Sequence, residues 1–230
     1  DQRKGARDRG RAHNKGMTSE YIRSLTRLRT DERILKLREA LKDRRDPVCE
    51  DEVLHYLLMT VRAVAPAEIL EIGTAEGLSG AAMLLEAPSA RLTTIEADED
   101  RYLKAKENFA ALGLSSRARC VLGDAADVLP ALDGPFGLIF LDGPKAQYVH
   151  YLPDLKRLLR EGGVLIADDV LLYGWVDGRE PAPKKRHSLV ERIREYLVAV
   201  AEDETLVTSV LDIGEGVAVS VKKRGCELRK

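Results

Sequence analysis

The stretch LDGPKAQY, residues 141 to 148, follows the apolar run Phe136 to Phe140 and puts Asp142 and Lys145 at the end of a buried strand. A second stretch, VLIADDV at 164 to 170, ends another apolar run on Asp168 and Asp169. A carboxylate and an amine, with no cysteine, serine–histidine pair or second lysine beside them, do not describe a covalent catalyst. Three carboxylates brought together repel one another unless a cation joins them. An all-oxygen donor set suits a hard ion, Mg²⁺ first and Mn²⁺ or Ca²⁺ after it. Taken singly these residues read as loop caps, Asp142-Gly143 being a good turn pair, and only their combination points to a metal.

A third stretch, EILEIGTAEGLSG at 68 to 80, runs from strand through a glycine turn into a helix, where an open α/β sheet binds nucleotide-like ligands. A dinucleotide site would carry G-x-G-x-x-G, so that the backbone can approach a pyrophosphate. Here Ala75 replaces the middle glycine, and Glu76 would repel a diphosphate. S-adenosylmethionine fits better, since it offers a ribose, an adenine and a cationic amino acid end. Glu96, ending the next strand, can accept bonds from both ribose hydroxyls, Glu71 can favour the positive end, and Gly123-Asp124-Ala125 can border the adenine. Ser79 is the weaker candidate.

These side chains need a scaffold. From Glu68 onward short apolar strands (Ile69 to Ile72, Leu92 to Ile95, Ala118 to Leu122, Phe136 to Leu141, Val164 to Ala167) alternate with helical stretches, the pattern of βαβ units and a parallel sheet. Asp98 and Gly113 bracket one helix as N-cap and C-terminal glycine. An irregular stretch with Gly174, Gly178, Pro181 and Pro183 leads to a helix from about Ser188 to Val200. The strands Leu206 to Ile213 and Val217 to Val221, joined at Gly214-Glu215-Gly216, read as an antiparallel hairpin. Ahead of the sheet, Ile22, Leu25, Leu28 and Ile34, Leu37, Leu41 mark two short amphipathic helices within 19 to 45, and Val53, Leu54, Leu57, Leu58, Val61 and Val64 form the stripe of a third.

Composition bounds the class. At 230 residues, with 44% hydrophobic and 33% charged side chains, one soluble domain over 17 to 230 is expected. No apolar run reaches the roughly 18 residues of a membrane span, and Cys49, Cys120 and Cys226 form no CxxC pair, which suits a reducing cytoplasm. Residues 1 to 16 read as a disordered leader; removing its charge of +4 from the formal −1 leaves −5 for the rest. Any contact with RNA must therefore be local.

Together ILEIGTAEGLSG, TTIEAD, GDA, FLDGPKAQY, GGVLIADDVLLYG and DIGEGVAVS, spread from about Pro47 to Lys223, resemble the metal-dependent class I O-methyltransferases. That family includes catechol and caffeoyl-CoA methyltransferases and a bacterial tRNA 5-hydroxyuridine methyltransferase. The resemblance implies a Rossmann-like fold with a seven-stranded, mostly parallel sheet, a C-terminal antiparallel hairpin and added N-terminal helices, assembled as a homodimer. It implies cofactor contacts from Glu71, Gly73, Ser79, Glu96, Asp124 and Ala125, with Val48 or Cys49 added, and metal ligation by Asp142, Asp168 and Asp169. Asp142 is also expected to face the methionine end of the cofactor. Lys145 then takes the acceptor proton or holds the resulting oxyanion. Two positions depart from the family: Asp169 stands where Asn is common, and Leu78 where an aromatic is frequent.

The acceptor is read from EPAPKKRHSLVERIREY at 180 to 196. Lys184, Lys185, Arg186 and His187 read in isolation as a solvated helix start, but the tRNA-modifying branch has a basic cluster at this place. The expected substrate is the wobble 5-hydroxyuridine of a tRNA anticodon loop, whose O5 hydroxyl lies beside a carbonyl oxygen. Arg44 and Arg45 could add phosphate contacts. A small catechol-type acceptor is the alternative.

Overall fold

The computed structural model describes Tyr21, Leu25, residues 28–42 and residues 49–225. The leader at 1 to 16, the start at Met17, and Ile22, Arg44, Arg45 and Val48 lie outside the described residues.

Helix α1 (Glu32–Leu41) starts at Asp31, whose carboxylate accepts the Arg33 N–H at 2.9 Å, and it buries Ile34 and Leu41. Helix α2 (Asp51–Val64) carries the expected stripe, with Val53, Leu54, Leu57, Leu58 and Val61 buried. There follow β1 (Glu68–Ile72), α3 (Leu78–Glu86), β2 (Arg91–Glu96), α4 (Glu99–Ala111), β3 (Ala118–Leu122), the single turn α5 (Ala125–Val128), β4 (Phe136–Leu141), α6 (Tyr148–Leu158) and β5 (Leu159–Ala167). The chain closes with α7 (His187–Glu202), β6 (Leu206–Leu211) and β7 (Val217–Lys222). Asp98 caps α4 as expected, accepting the Arg101 N–H at 2.9 Å. Strand β5 begins earlier than its apolar run, because Leu159 already pairs with Phe136 before the register shifts and Val164 takes up Leu138.

The seven strands lie in the order β3-β2-β1-β4-β5-β7-β6. The first five are parallel, and β7 runs antiparallel to both β5 and β6. This is the Rossmann-like arrangement with a terminal hairpin that the motifs implied. Alternate residues of the central strands feed two cores: Leu70, Ile72, Ile139 and Leu141 face α6 and α7, while Ile69, Leu138 and Phe140 face α1 to α4. No described helix is long and apolar enough to cross a membrane.

The order reverses at β1, which pairs with β2 on one side and β4 on the other, so the chain leaving β1 opens a crevice at the carboxyl edge. Gly73 makes this possible. It adopts φ +96°, and a Cβ there would sit 2.3 Å from the Asp142 carbonyl oxygen. Alanine would add both the steric clash and the left-handed penalty. Gly73→Ala is expected to cost about 2–4 kcal/mol of stability in urea unfolding, with the midpoint shifted and the slope unchanged.

Candidate active site

The carboxyl ends of β1, β2, β4 and β5 wall a cavity of ≈ 540 Å³. Of the residues singled out in the sequence, Cys49, Gly73, Glu96, Asp124, Ala125, Asp142, Lys145, Asp168 and Asp169 line it.

On the β2 side, buried Glu96 is fixed by two backbone donors: its Oε2 accepts the Ala75 N–H at 2.8 Å and its Oε1 the Asp98 N–H at 3.0 Å. A carboxylate has about four acceptor positions, so each oxygen keeps one for a ligand hydroxyl. Asp124 is held as the N-cap of α5, accepting from Ala126 N–H at 2.8 Å. Beside it Tyr151 lines the same cavity, its phenol pushed up to about 12 by burial and by the Asp124 carboxylate.

Glu71 and Ser79, expected to touch the cofactor, are not among the residues that line the cavity. Glu71 projects from β1 toward α3 and is fully buried. It accepts the Ser79 hydroxyl at 2.5 Å and the Thr94 hydroxyl at 2.6 Å, and Thr94 in turn meets the Thr74 hydroxyl at 2.5 Å. This chain of contacts braces the glycine loop from below. Burial pushes the Glu71 carboxyl up to about 7, with the two hydroxyl bonds opposing the rise and the charges of Asp142 and Glu96 adding to it.

On the β4 and β5 side, Lys145 bridges two carboxylates, with Nζ 2.5 Å from Asp142 Oδ1 and 3.0 Å from Asp169 Oδ2. Burial opposes the lysine's charge, but Tyr148, Asp142 and Asp169 outweigh it and hold the pKa above its ordinary value. Asp168 is buried and accepts the Asp169 N–H at 2.8 Å. Burial first, then Asp142 and Asp169, push its carboxyl up to about 8. Asp169 sits at φ +57°, a left-handed conformation that Asn and Asp bear better than most side chains. That conformation admits Asp and Asn alike at this position.

Among the described residues, Glu50, Asp168 and Asp169 each bring a carboxylate oxygen within 4.8 Å of the other two. Asp142, expected to ligate with Asp168 and Asp169, lines the same cavity and pairs with Lys145, as Asp169 also does. The donor set is all oxygen, and the like-charge crowding that raises the Asp168 pKa is what a divalent cation relieves, so the residues fit a hard ion. Sequence reading missed Glu50, which stands at the N-cap position of α2. It also missed Tyr151, and Tyr173, Glu215 and Arg101, which line the cavity from distant segments. Glu215 looked like a turn residue between two glycines. Lys184, Lys185, Arg186 and His187 do not line the cavity; all four are exposed, the first three forming a 3₁₀ turn that leads into α7.

Residues 27–223 match the family described as O-methyltransferase. The chain belongs to this O-methyltransferase family. A Mycobacterium marinum protein that carries the name O-methyltransferase is 32% identical over 169 residues, 72% of this chain and 74% of its own length. A Staphylococcus aureus structure assigned to the caffeoyl-CoA O-methyltransferases superposes with a TM-score of 0.81 at 27% identity, covering 90% of this chain and 99% of that one. TomG of Streptomyces achromogenes, an O-methyltransferase of tomaymycin synthesis solved with S-adenosylmethionine, superposes at 0.76 with 26% identity, covering 90% and 96%.

In this O-methyltransferase the buried Glu71 makes folding depend on pH. A carboxyl raised from 4.5 to about 7 keeps a proton in the folded state that the unfolded chain releases, so stability falls as pH rises across that interval and levels off above it. Glu71→Gln removes this component. Urea unfolding from about pH 5 to pH 8 should show the variant gaining on the wild type with rising pH, by on the order of 3 kcal/mol at most.

Proposed function

We propose that the chain transfers the methyl group of S-adenosylmethionine to an acceptor hydroxyl that lies beside a second oxygen, with a divalent cation, Mg²⁺ by default, at the β5 edge. One observation carries the reading: a single cavity holds Glu96 on its β2 side and Lys145, Asp142, Asp168 and Asp169 on its other side, in a member of an O-methyltransferase family. S-adenosylmethionine supplies an electrophilic methyl on sulfur, and a bound cation supplies positive charge that lowers the pKa of the acceptor hydroxyl.

The residues divide the remaining work. Glu96 takes the ribose hydroxyls on its free acceptor positions, and Asp124 with Ala125 borders the adenine. The Gly73 backbone lets the cofactor approach, while Asp142 faces its cationic end. Asp168 and Asp169 hold the cation, with Asp142 or Glu50 completing the set. As the acceptor oxygen bonds to the methyl carbon, the sulfur–carbon bond opposite it breaks with its electron pair left on sulfur, and the hydroxyl proton passes to solvent water. Lys145, kept a cation by its two carboxylate partners, suits holding the oxyanion better than taking the proton. No covalent enzyme intermediate is required, and the Cys49 thiol that lines the cavity is kept protonated, its pKa raised by burial and by the charges of Asp168 and Asp142.

The finer reading is 5-hydroxyuridine at the tRNA wobble position, giving 5-methoxyuridine. Lys184, Lys185 and Arg186 support it. They stand exposed at the N-terminus of the 16-residue α7, where the helix dipole already favours anions and where acids, not bases, stabilise a helix. None of the three is in an ion pair with a described residue. The second reading, a small catechol-type acceptor, is favoured by a cavity wall rich in carboxylates, including Glu50, Glu215 and Asp98, which repel a phosphate chain.

Three measurements test this. Excess chelator should abolish methyl transfer and Mg²⁺ restore it; full turnover in chelator would remove the cation from the mechanism. Nucleosides from tRNA incubated with enzyme, Mg²⁺ and labelled S-adenosylmethionine should contain labelled 5-methoxyuridine by mass spectrometry. Replacing Lys184, Lys185 and Arg186 together by Ala should raise the KM for tRNA and flatten its salt dependence by up to about 0.9 in logarithmic slope per lost contact, leaving catechol methylation unchanged. Catechol product with no tRNA product decides for the small molecule.

A further inference from the structure

The segment from Val170 to Trp175 is held more tightly than a loop needs to be. Val170 N–H donates to Gly216 O at 2.9 Å, and Leu171 and Leu172 donate to Glu215 O at 2.8 and 3.2 Å. The Tyr173 N–H donates to the Glu215 carboxylate. From the other side, Arg194 of α7 donates to Val176 O at 2.9 Å, and Arg179 makes a two-pronged pair with Asp212 at 2.9 Å. This grip enforces a costly backbone: Leu172 and Tyr173 lie at φ +42° and +55°, successive left-handed positions that bulky side chains avoid.

The enforced backbone puts an aromatic ring into the cavity mouth. Tyr173 lines the same cavity as Lys145, Asp168 and Asp169, yet it is 60% exposed. Its ring is braced by Trp175, with centroids 4.9 Å apart and planes at 55°. A large ring, braced by a second ring, fixed by strained backbone and left open to solvent beside the reacting groups, is a preformed stacking surface.

We infer that Tyr173 is the platform on which a planar, π-bearing acceptor stacks to present its vicinal oxygens to the Asp168–Asp169 side of the cavity. This rests on the methyl-transfer reading, and it holds for a pyrimidine and for a catechol alike. It makes Tyr173 the residue that selects flat acceptors, and Glu215 the positioning residue that keeps the ring in place.

The test uses the chain's one tryptophan, Trp175, as a reporter next to the platform. Catechol and the nucleoside 5-hydroxyuridine are titrated into the full chain with S-adenosylhomocysteine and Mg²⁺, and Trp175 emission is followed. Saturable quenching by either probe is expected in the wild type. Tyr173→Gly removes the ring while relieving the positive φ, so the thermal midpoint should not fall, whereas binding should weaken about 5- to 100-fold. Tyr173→Phe should restore affinity to near the wild-type value. Tyr173→Asn, which also tolerates this φ, takes the place of the glycine variant if that chain fails to fold.

Equal affinity in wild type and the ring-less variant, or no change in emission with either probe, overturns the platform. Methyl transfer is measured on the same proteins. Transfer with a KM untouched by Tyr173→Gly removes the platform and leaves the methyltransferase reading. Stacking lost in Tyr173→Gly, with no transfer by the wild type, does the reverse.

Discussion

The site depends on one close approach, that of Gly73 to the Asp142 carbonyl. As the chain leaves β1 it is tied to both neighbours: Gly73 N–H donates to Ile95 O at 3.0 Å on the β2 side, and Asp142 N–H donates to Ile72 O at 2.9 Å on the β4 side. With no side chain between them, the two halves of the sheet edge share one cavity instead of forming two shallow clefts. Glu96 on one half and Asp142 with Lys145 on the other can then serve the two ends of a single extended ligand. Below the loop, the buried Glu71–Ser79–Thr94–Thr74 contacts keep it from collapsing into the space that it frames.

That geometry concentrates negative charge. Glu50, Glu96, Asp98, Asp124, Asp142, Asp168, Asp169 and Glu215 all reach the wall, against Lys145 and Arg101. Such an arrangement is tolerable because much of it is bonded: Glu96, Asp124 and Asp168 accept backbone N–H groups, Lys145 neutralises Asp142 and Asp169, and Glu215 accepts from Tyr173. The charge that remains suits a ligand that carries positive charge, as the sulfonium of S-adenosylmethionine does. Backbone strain is spent in the same place, at Asp169, Leu172 and Tyr173, all within reach of the β5 end.

Much of this was legible before any fold was known. The change of period at Glu68, the cap pair Asp98 and Gly113, and the apolar runs ending in Asp142 and Asp168 are local signals, since strand alternation, helix capping and turn chemistry act over a few residues. They sufficed for an α/β sheet with a terminal hairpin and for most of the candidate residues that line the cavity, whereas Cys49 came only with the family resemblance. The early start of β5 was hidden because Leu159 is separated from the apolar run by Arg160-Glu161-Gly162, and only pairing with Phe136 makes it strand.

What the sequence by itself determined is which chemistries are present: carboxylates and a lysine at strand ends, glycines at the first turn, a basic segment ahead of the last helix. What only the tertiary structure decided is which of them meet. Glu71 and Glu96 are carboxylates on the same face of neighbouring strands, yet Glu71 lies level with Thr94 and is covered by α3, while Glu96, two residues farther toward the carboxyl edge, reaches the cavity. Glu50, Tyr173 and Glu215 are far apart in the chain and join the wall because the start of α2, the loop after β5 and the β6–β7 turn come together at one edge. Lys184 to Arg186 remain outside it. Side-chain direction and long-range packing depend on contacts between distant segments, and no local pattern in the sequence carries that information.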